Sequence, residues 1–125
     1  MIAADTSTWI AFLQGEQAGD TELLDKALAD RQVLMIPPVL TELLSQSDLP
    51  PELEQTLLEI PLVQIEPGFW QRAGALRAKV LAKGRRARLG DALIAQCCVD
   101  HGISMITRDK DFRAFVEAAG LTLIL

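Results

Sequence analysis

Five short apolar runs, each three to five residues long, divide this sequence into strand-sized and helix-sized pieces. The runs are Ile2 to Ala4, Val33 to Ile36, Leu62 to Ile65, Ile103 to Ile106 and Leu121 to Leu125. Their near-continuous hydrophobicity is typical of strands covered on both faces, because a half-exposed strand alternates apolar and polar residues. The pattern therefore predicts a mostly parallel, five-stranded sheet.

The segments between these runs have the spacing of amphipathic helices. Helices are predicted to open near Trp9, near Leu23, after Pro37-Pro38 and at Pro50-Pro51, then from about 69 to 83, from Asp91 to near Gly102, and from about 110 to 119 before Gly120. Proline is tolerated in the first turn of a helix and glycine commonly follows its end. Strands that alternate with helices predict a three-layer α/β/α domain.

The chain has 125 residues, which is the size of one domain, so residues 1–125 are expected to share a single core. Its two cysteines, Cys97 and Cys98, are adjacent and supply no long-range disulfide, which favours a reducing compartment. No apolar run approaches the ~18 residues of a membrane span, and an acid, Asp5, follows the N-terminus closely. We expect a cytoplasmic protein without a membrane segment.

Charge is distributed unevenly along the chain. The net charge is −5, the wrong sign for binding nucleic acid through overall charge. However, the segment from Arg72 to Arg88 contains seven bases and no acid, whereas all 17 acids and the other five bases lie outside it. This asymmetry predicts a metal site in one place and a polyanion-binding surface in another.

Four acids can converge at one end of the predicted sheet, outside the carboxyl ends of its strands, where a parallel sheet commonly binds ligands. Asp5 and Asp109 follow predicted strands, Asp91 opens a predicted helix, and Glu42 lies in a leucine-rich helix. Taken singly, an Asp at such a position more often caps a helix, and a lone Glu is more often solvated. Together, four carboxylates without a nearby His or Cys are the oxygen ligands typical of Mg²⁺ or Mn²⁺ and unlike those of zinc.

The sequence at these positions resembles that of PIN-domain nucleases, and the small size resembles VapC-type toxins of toxin–antitoxin pairs. The resemblance rests on Asp5-Thr6-Ser7, Glu42, Asp91-Ala92-Leu93-Ile94-Ala95 and the stretch from Thr107 to Phe112, in this order over essentially the whole chain. It implies a quartet of metal ligands, Asp5, Glu42, Asp91 and Asp109. Asp111 is an alternative to Asp109 or an additional ligand.

The resemblance implies an Mg²⁺- or Mn²⁺-dependent endoribonuclease in which metal-activated water hydrolyses a phosphodiester. Ser7 or Thr6, together with Thr107, would hydrogen-bond a carboxylate or the scissile phosphate, although capping a helix is at least as good an interpretation. Lys83, Arg85, Arg86 and Arg88 lead directly to Asp91 and are predicted to bind RNA phosphates. The resemblance also implies a VapB-type antitoxin as partner, together with a homodimer and a toxin–antitoxin hetero-oligomer.

Two other functions fit the same residues. Another Mg²⁺-dependent α/β phosphohydrolase is one, although a haloacid-dehalogenase-like phosphatase would carry a second Asp where Ser7 stands. A catalytically silent PIN-like module that binds RNA or a protein is the other, since ligands do not prove turnover.

Overall fold

The computed structural model describes residues 1–124, and the last predicted strand ends at Leu125, outside the described residues. In chain order the elements are β1 (Ile2–Ala4), α1 (Thr6–Leu13), α2 (Gly19–Ala29), α3 (Pro37–Leu44), α4 (Pro51–Glu59), α5 (Phe69–Ala82), α6 (Leu89–His101), β2 (Ser104–Ile106), a 3₁₀ turn (Lys110–Phe112), α7 (Arg113–Ala119) and β3 (Leu123–Ile124). The α/β class predicted from the sequence is confirmed.

The three strands form a parallel sheet in the order β1-β2-β3. Ala4 pairs with Ile106, which pairs in turn with Ile124, so the three strands end at the same edge of the sheet. Ala3 and Ala4 are both buried, as are Met105 and Ile106. Because successive residues of a strand point to opposite faces, protein covers both faces of this sheet.

The prediction of five strands is wrong for the part of the chain that the structure describes. The run at 33–36 lies beside β1, and the run at 62–65 lies beside the 33–36 run, but each pairing is a single isolated parallel bridge, Ile2 with Val33 and Met35 with Leu62. Proline explains the short pairing, because Pro37 already belongs to α3 and Pro61 lacks the N–H that a longer ladder would use. These runs extend the sheet without forming strands.

Several helix ends differ from the sequence prediction. The helices predicted at Pro37-Pro38 and Pro50-Pro51 begin with those prolines, and Gly120 ends α7 at a left-handed φ of 73°, as predicted. By contrast, α6 begins at Leu89, two residues before Asp91, and the last predicted helix is divided into a 3₁₀ turn and α7. The predicted loop from Lys83 to Gly90 is correspondingly shorter.

Helix packing determines which segments meet at the edge where the strands end. Helix α3 packs against both α1 and α6, and α5 packs against α6 and α7. The third helix therefore lies between the helix that follows β1 and the helix that precedes β2. Within residues 1–124 no helix is long and apolar enough to cross a membrane.

Candidate functional site

Asp5 lies at the carboxyl end of β1 and caps α1. Its side chain is almost fully buried, and its Oδ1 accepts a hydrogen bond from the backbone N–H of Thr8 at 3.1 Å. The Ser7 hydroxyl donates to both carboxylate oxygens, and the Thr107 hydroxyl donates to Oδ2 at 2.8 Å. Burial raises the pKa of Asp5 above its ordinary value, although the hydrogen bonds from Thr107, Thr8 and Ser7 oppose that shift.

Asp109 lies three residues beyond β2, at the same edge of the sheet. Its Oδ1 accepts the backbone N–H of Asp111 at 2.9 Å, so it caps the 3₁₀ turn. Its own backbone N–H donates to the Thr107 hydroxyl at 3.0 Å. Thr107 thus connects the backbone of Asp109 to the carboxylate of Asp5. Both acids also cap the helical turns that follow them, as the capping interpretation predicted.

Glu42 extends from α3 toward the first turns of α1 and α6. Its Oε1 accepts the Thr6 hydroxyl at 2.8 Å. A Cβ built on Gly90 would lie 3.8 Å from that same oxygen, so Glu42 also reaches the beginning of α6. Glu42 therefore lies between Thr6 and Gly90, which are the chain neighbours of Asp5 and Asp91.

Asp91 is the third residue of α6, and the structure assigns the capping position to Arg88 instead. The pKa of this half-buried carboxyl is raised to about 6, first by burial and then by the negative charges of Asp109, Asp5 and Glu42, while Arg88 opposes the shift. All three other predicted ligands thus act electrostatically on Asp91. The structure brings the quartet to one edge of the sheet from four separate segments.

Within residues 1–124, no three acid, His or Cys side chains converge closely enough to ligate a single ion. Each of three carboxylates is instead occupied by a donor of the protein itself, as described for Asp5, Asp109 and Glu42. The donor set nevertheless suits a hard divalent cation, because it consists of carboxylate and hydroxyl oxygens. A cation would also relieve the repulsion that raises the pKa of Asp91.

The basic segment divides into two groups. Arg72 pairs with Asp100, Arg77 donates to the carbonyl of Ala87, Lys79 donates to the carbonyl of Ala118, and Arg85 pairs with Glu117. These four bases join helices and loops to one another. The second group is Lys83, Arg86 and Arg88.

Two bases of the second group lie near the acids. Arg86 is 3.8 Å from Asp111, and Arg88 acts on Asp91. Asp111 faces Arg86, whereas Asp109 is the neighbouring charge that raises the pKa of Asp91 most. Exposed Lys83 forms no ion pair or side-chain hydrogen bond within the described chain.

A network of charged side chains that the sequence did not predict lies next to Asp5 and Asp109, and it is centred on Arg108 and Asp20. Arg108 donates to Asp20 through Nε at 2.8 Å and Nη2 at 2.9 Å, and to Glu16 through Nη1. Thr8 donates to the same Asp20. Arg108 holds the pKa of Asp20 below its ordinary value. Asp20 is one of 17 acids and has no motif around it, so only the fold distinguishes it.

A family model described as PIN domain matches residues 2–118, nearly the whole chain. The chain belongs to the PIN domain family. Among curated relatives, it is 28% identical to Ribonuclease VapC5 of Mycobacterium tuberculosis, over 96% of this chain and 91% of that protein. It is 25% identical to Ribonuclease VapC11 of the same species, over 97% of this chain and 96% of that protein.

Solved structures have the same PIN fold. The TM-score is 0.74 to a chain of FitAcB from Neisseria gonorrhoeae, at 21% identity, covering 100% of this chain and 97% of that one. It is 0.71 to a chain of VapBC2 from Rickettsia felis, crystallised with a DNA fragment from its promoter, at 19% identity and covering 99% and 98%. These likenesses support the fold of this PIN domain.

Proposed function

We propose that this PIN domain is an endoribonuclease that uses Mg²⁺ or Mn²⁺ and acts as the toxin of a toxin–antitoxin pair. The observation that carries the proposal is the effect of Asp109, Asp5 and Glu42 on the pKa of Asp91. Four segments contribute acids to one place, at a cost in repulsion that a bound cation would remove. The curated relatives named ribonuclease VapC support the reaction.

Asp5 and Asp91 are the proposed principal ligands, because they are the two quartet members with raised pKa values caused first by burial. Glu42 and Asp109 complete the site, and Asp111 is an outer, less direct contributor beside Arg86. A bound divalent cation supplies the Lewis acidity and the activated water that phosphodiester hydrolysis requires.

The protein's own groups orient these ligands. Ser7 and Thr107 donate to Asp5, so each hydroxyl restricts the direction of that carboxylate. Thr6 restricts Glu42 in the same way. The proposed role of Ser7 and Thr107 is therefore chiefly to position a ligand, with contact to the scissile phosphate as a secondary role.

Arg86, Arg88 and Lys83 are the proposed RNA-binding bases. They follow one another along the loop that leads to Asp91, and none is held by a strong ion pair. Arg85 remains a proposed phosphate contact only if RNA displaces its exposed partner Glu117. Such contacts position the backbone of RNA and do not read its sequence.

A VapB-type antitoxin is the proposed protein partner, and the toxin is proposed to form a homodimer within a hetero-oligomer. The support is the set of similar solved structures, which includes VapBC2 from Rickettsia felis and VapBC from Salmonella typhimurium, both bound to DNA. Production of this protein alone in a bacterium is expected to arrest growth, and co-production of its antitoxin is expected to restore it. Normal growth with active nuclease present contradicts the toxin role.

Cleavage of total RNA tests the activity directly. We expect products with Mg²⁺ or Mn²⁺ and none with EDTA, and no products from the Asp5→Asn or Asp91→Asn variant. Asp25→Asn is the matched control, because Asp25 is an exposed acid on α2. If the protein binds RNA but does not cleave it with any of the divalent cations tested, the result would favour the catalytically silent module.

A further inference from the structure

A partly buried ion pair between Asp20 and Arg108 connects segments next to the proposed metal ligands. Asp20, in the first turn of α2, is only 3% exposed and binds the guanidinium of Arg108 through both carboxylate oxygens. Arg108 follows β2 and lies between Thr107 and Asp109 in the chain. The pair therefore joins α2 to the turn that carries Asp109.

The same carboxylate also reaches α1. The Thr8 hydroxyl donates to Asp20 Oδ2 at 3.0 Å, while the backbone N–H of Thr8 donates to Asp5 at 3.1 Å. On the other side, Thr107 donates its hydroxyl to Asp5 and accepts the N–H of Asp109. Asp20 thus binds Thr8, which itself donates to Asp5, and Arg108, which is the chain neighbour of Thr107.

The network leaves neither of its charges available for other ligands. Arg108 uses Nε and Nη2 on Asp20 and Nη1 on Glu16. A guanidinium with these three nitrogens engaged offers little to a phosphate, and a carboxylate already bound twice by Arg and once by Thr offers little to a cation. Arg108 is accordingly not counted among the RNA-binding bases.

We infer that Asp20 and Arg108 are a positioning pair. They fix the position of the Asp5 carboxylate relative to the Asp109 carboxylate, and they thereby set the affinity of the site for a divalent cation. This inference rests on the metal site of the proposed function. Groups that orient metal ligands typically change metal affinity by about 10- to 100-fold when they are removed. The bidentate geometry matters as well as the charge, because it fixes the plane of the guanidinium.

The chain contains a matched control for this pair. Asp100, on α6, also binds an arginine through both oxygens, with distances of 3.1 and 2.6 Å to Nε and Nη2 of Arg72. Gln96 is its third partner, as Thr8 is for Asp20. Asp100 lies nine residues along the same helix from Asp91, which corresponds to roughly 13 Å.

The test is a titration of purified protein with Mn²⁺, in which calorimetry and the paramagnetic signal of free Mn²⁺ both report binding. Thermal unfolding of each variant in EDTA measures its stability separately. Asp20→Asn and Asp100→Asn are both expected to lower the unfolding temperature. Only Asp20→Asn is expected to weaken Mn²⁺ binding, by about tenfold. Mn²⁺ binding within twofold of wild type in Asp20→Asn, or an equal loss in Asp100→Asn, overturns the inference.

Thr8→Val keeps the test decisive if Asp20→Asn does not fold. It removes the hydroxyl that donates to Asp20 but keeps the backbone N–H that donates to Asp5 and nearly the same side-chain shape. We expect a two- to fivefold weaker Mn²⁺ affinity, and an unchanged affinity refutes the positioning role. Failure of the metal site itself has a separate signature, because wild type and Asp5→Asn would then bind Mn²⁺ equally weakly.

Discussion

Replacement of Asp91 by Asn should make the metal-free protein more stable while it abolishes cleavage. The pKa of Asp91 is raised from 3.8 to about 6 by burial and by its acidic neighbours. A shift of this size corresponds to roughly 3 kcal/mol of unfavourable free energy for the charged form. Because Asp91 is only half buried, solvent screening reduces the expected effect to about 1.5 kcal/mol.

The effect has a defined pH window. Between about pH 4 and 6 the folded protein binds more protons at Asp91 than the unfolded chain does, so the stability of the wild type falls as the pH rises through this range. Above pH 6 the penalty is complete, and below pH 4 it disappears because the carboxyl is protonated in both states. Asn carries no charge, so the variant lacks this contribution at every pH.

Thermal unfolding in EDTA at pH 4 and pH 7.5 measures the difference. At pH 7.5 we expect Asp91→Asn to unfold about 5 °C above wild type, and at pH 4 we expect the two curves to coincide. Saturating Mn²⁺ should then stabilise wild type more than the variant, because a ligand that binds only the folded state adds its binding free energy. Asp25→Asn controls for the amide substitution on an exposed helix surface.

The reasoning is refuted if Asp91→Asn is no more stable than wild type at pH 7.5 in EDTA. Such a result would mean that neither burial nor the charges of the other three acids disfavour the ionised form of Asp91. An increase in stability that is the same at both pH values would also contradict it, because a gain from packing has no reason to follow the titration of a carboxyl.

Two further predictions concern the basic loop and the fold. The first uses an Asp5→Asn background, which prevents cleavage, and measures how the affinity for single-stranded RNA falls with salt. Replacing Arg86 and Arg88 by Ala should make the slope of log affinity against log salt less steep by about 1.4, whereas Lys26→Ala on α2 should leave the slope unchanged. Equal slopes with and without Arg86 and Arg88 refute the RNA-binding role. Gly74→Ala, at an exposed position in the middle of α5, should stabilise the fold by about 0.5–1 kcal/mol in urea unfolding, since an added Cβ meets no atom within 4 Å. A loss of stability there contradicts the helix assignment.

Local patterns predicted the parts of the fold that local physics determines. The prolines at 37 and 51 begin helices and Gly120 ends one, because these residues restrict or release backbone angles regardless of what surrounds them. The apolar runs also predicted a parallel sheet buried on both faces. The same patterns overstated the number of strands, since a hydrophobic run does not show whether its neighbour supplies a continuous ladder of hydrogen bonds.

The basic segment illustrates a second limit. Seven bases without an acid among them predicted a surface for RNA, yet four of these bases bind carbonyl groups or acids elsewhere in the fold. Arg72 and Arg85 have partners 28 and 32 residues away in the chain. The sequence gives the number of charged residues in a segment. The number available to a ligand depends on which of the long side chains are already paired within the fold.

The sequence alone determined the alternation of strands and helices, the all-oxygen character of the acids and the resemblance to PIN-domain nucleases, because these depend on residue type and order. Only the tertiary structure decided that Glu42 reaches the start of α6, that Asp91 is affected by three other carboxylates, and that Asp20 binds Arg108. Asp20 and Arg108 are 88 positions apart in the sequence, which explains the difference. A contact at that separation depends on the whole fold, so no local pattern contains it.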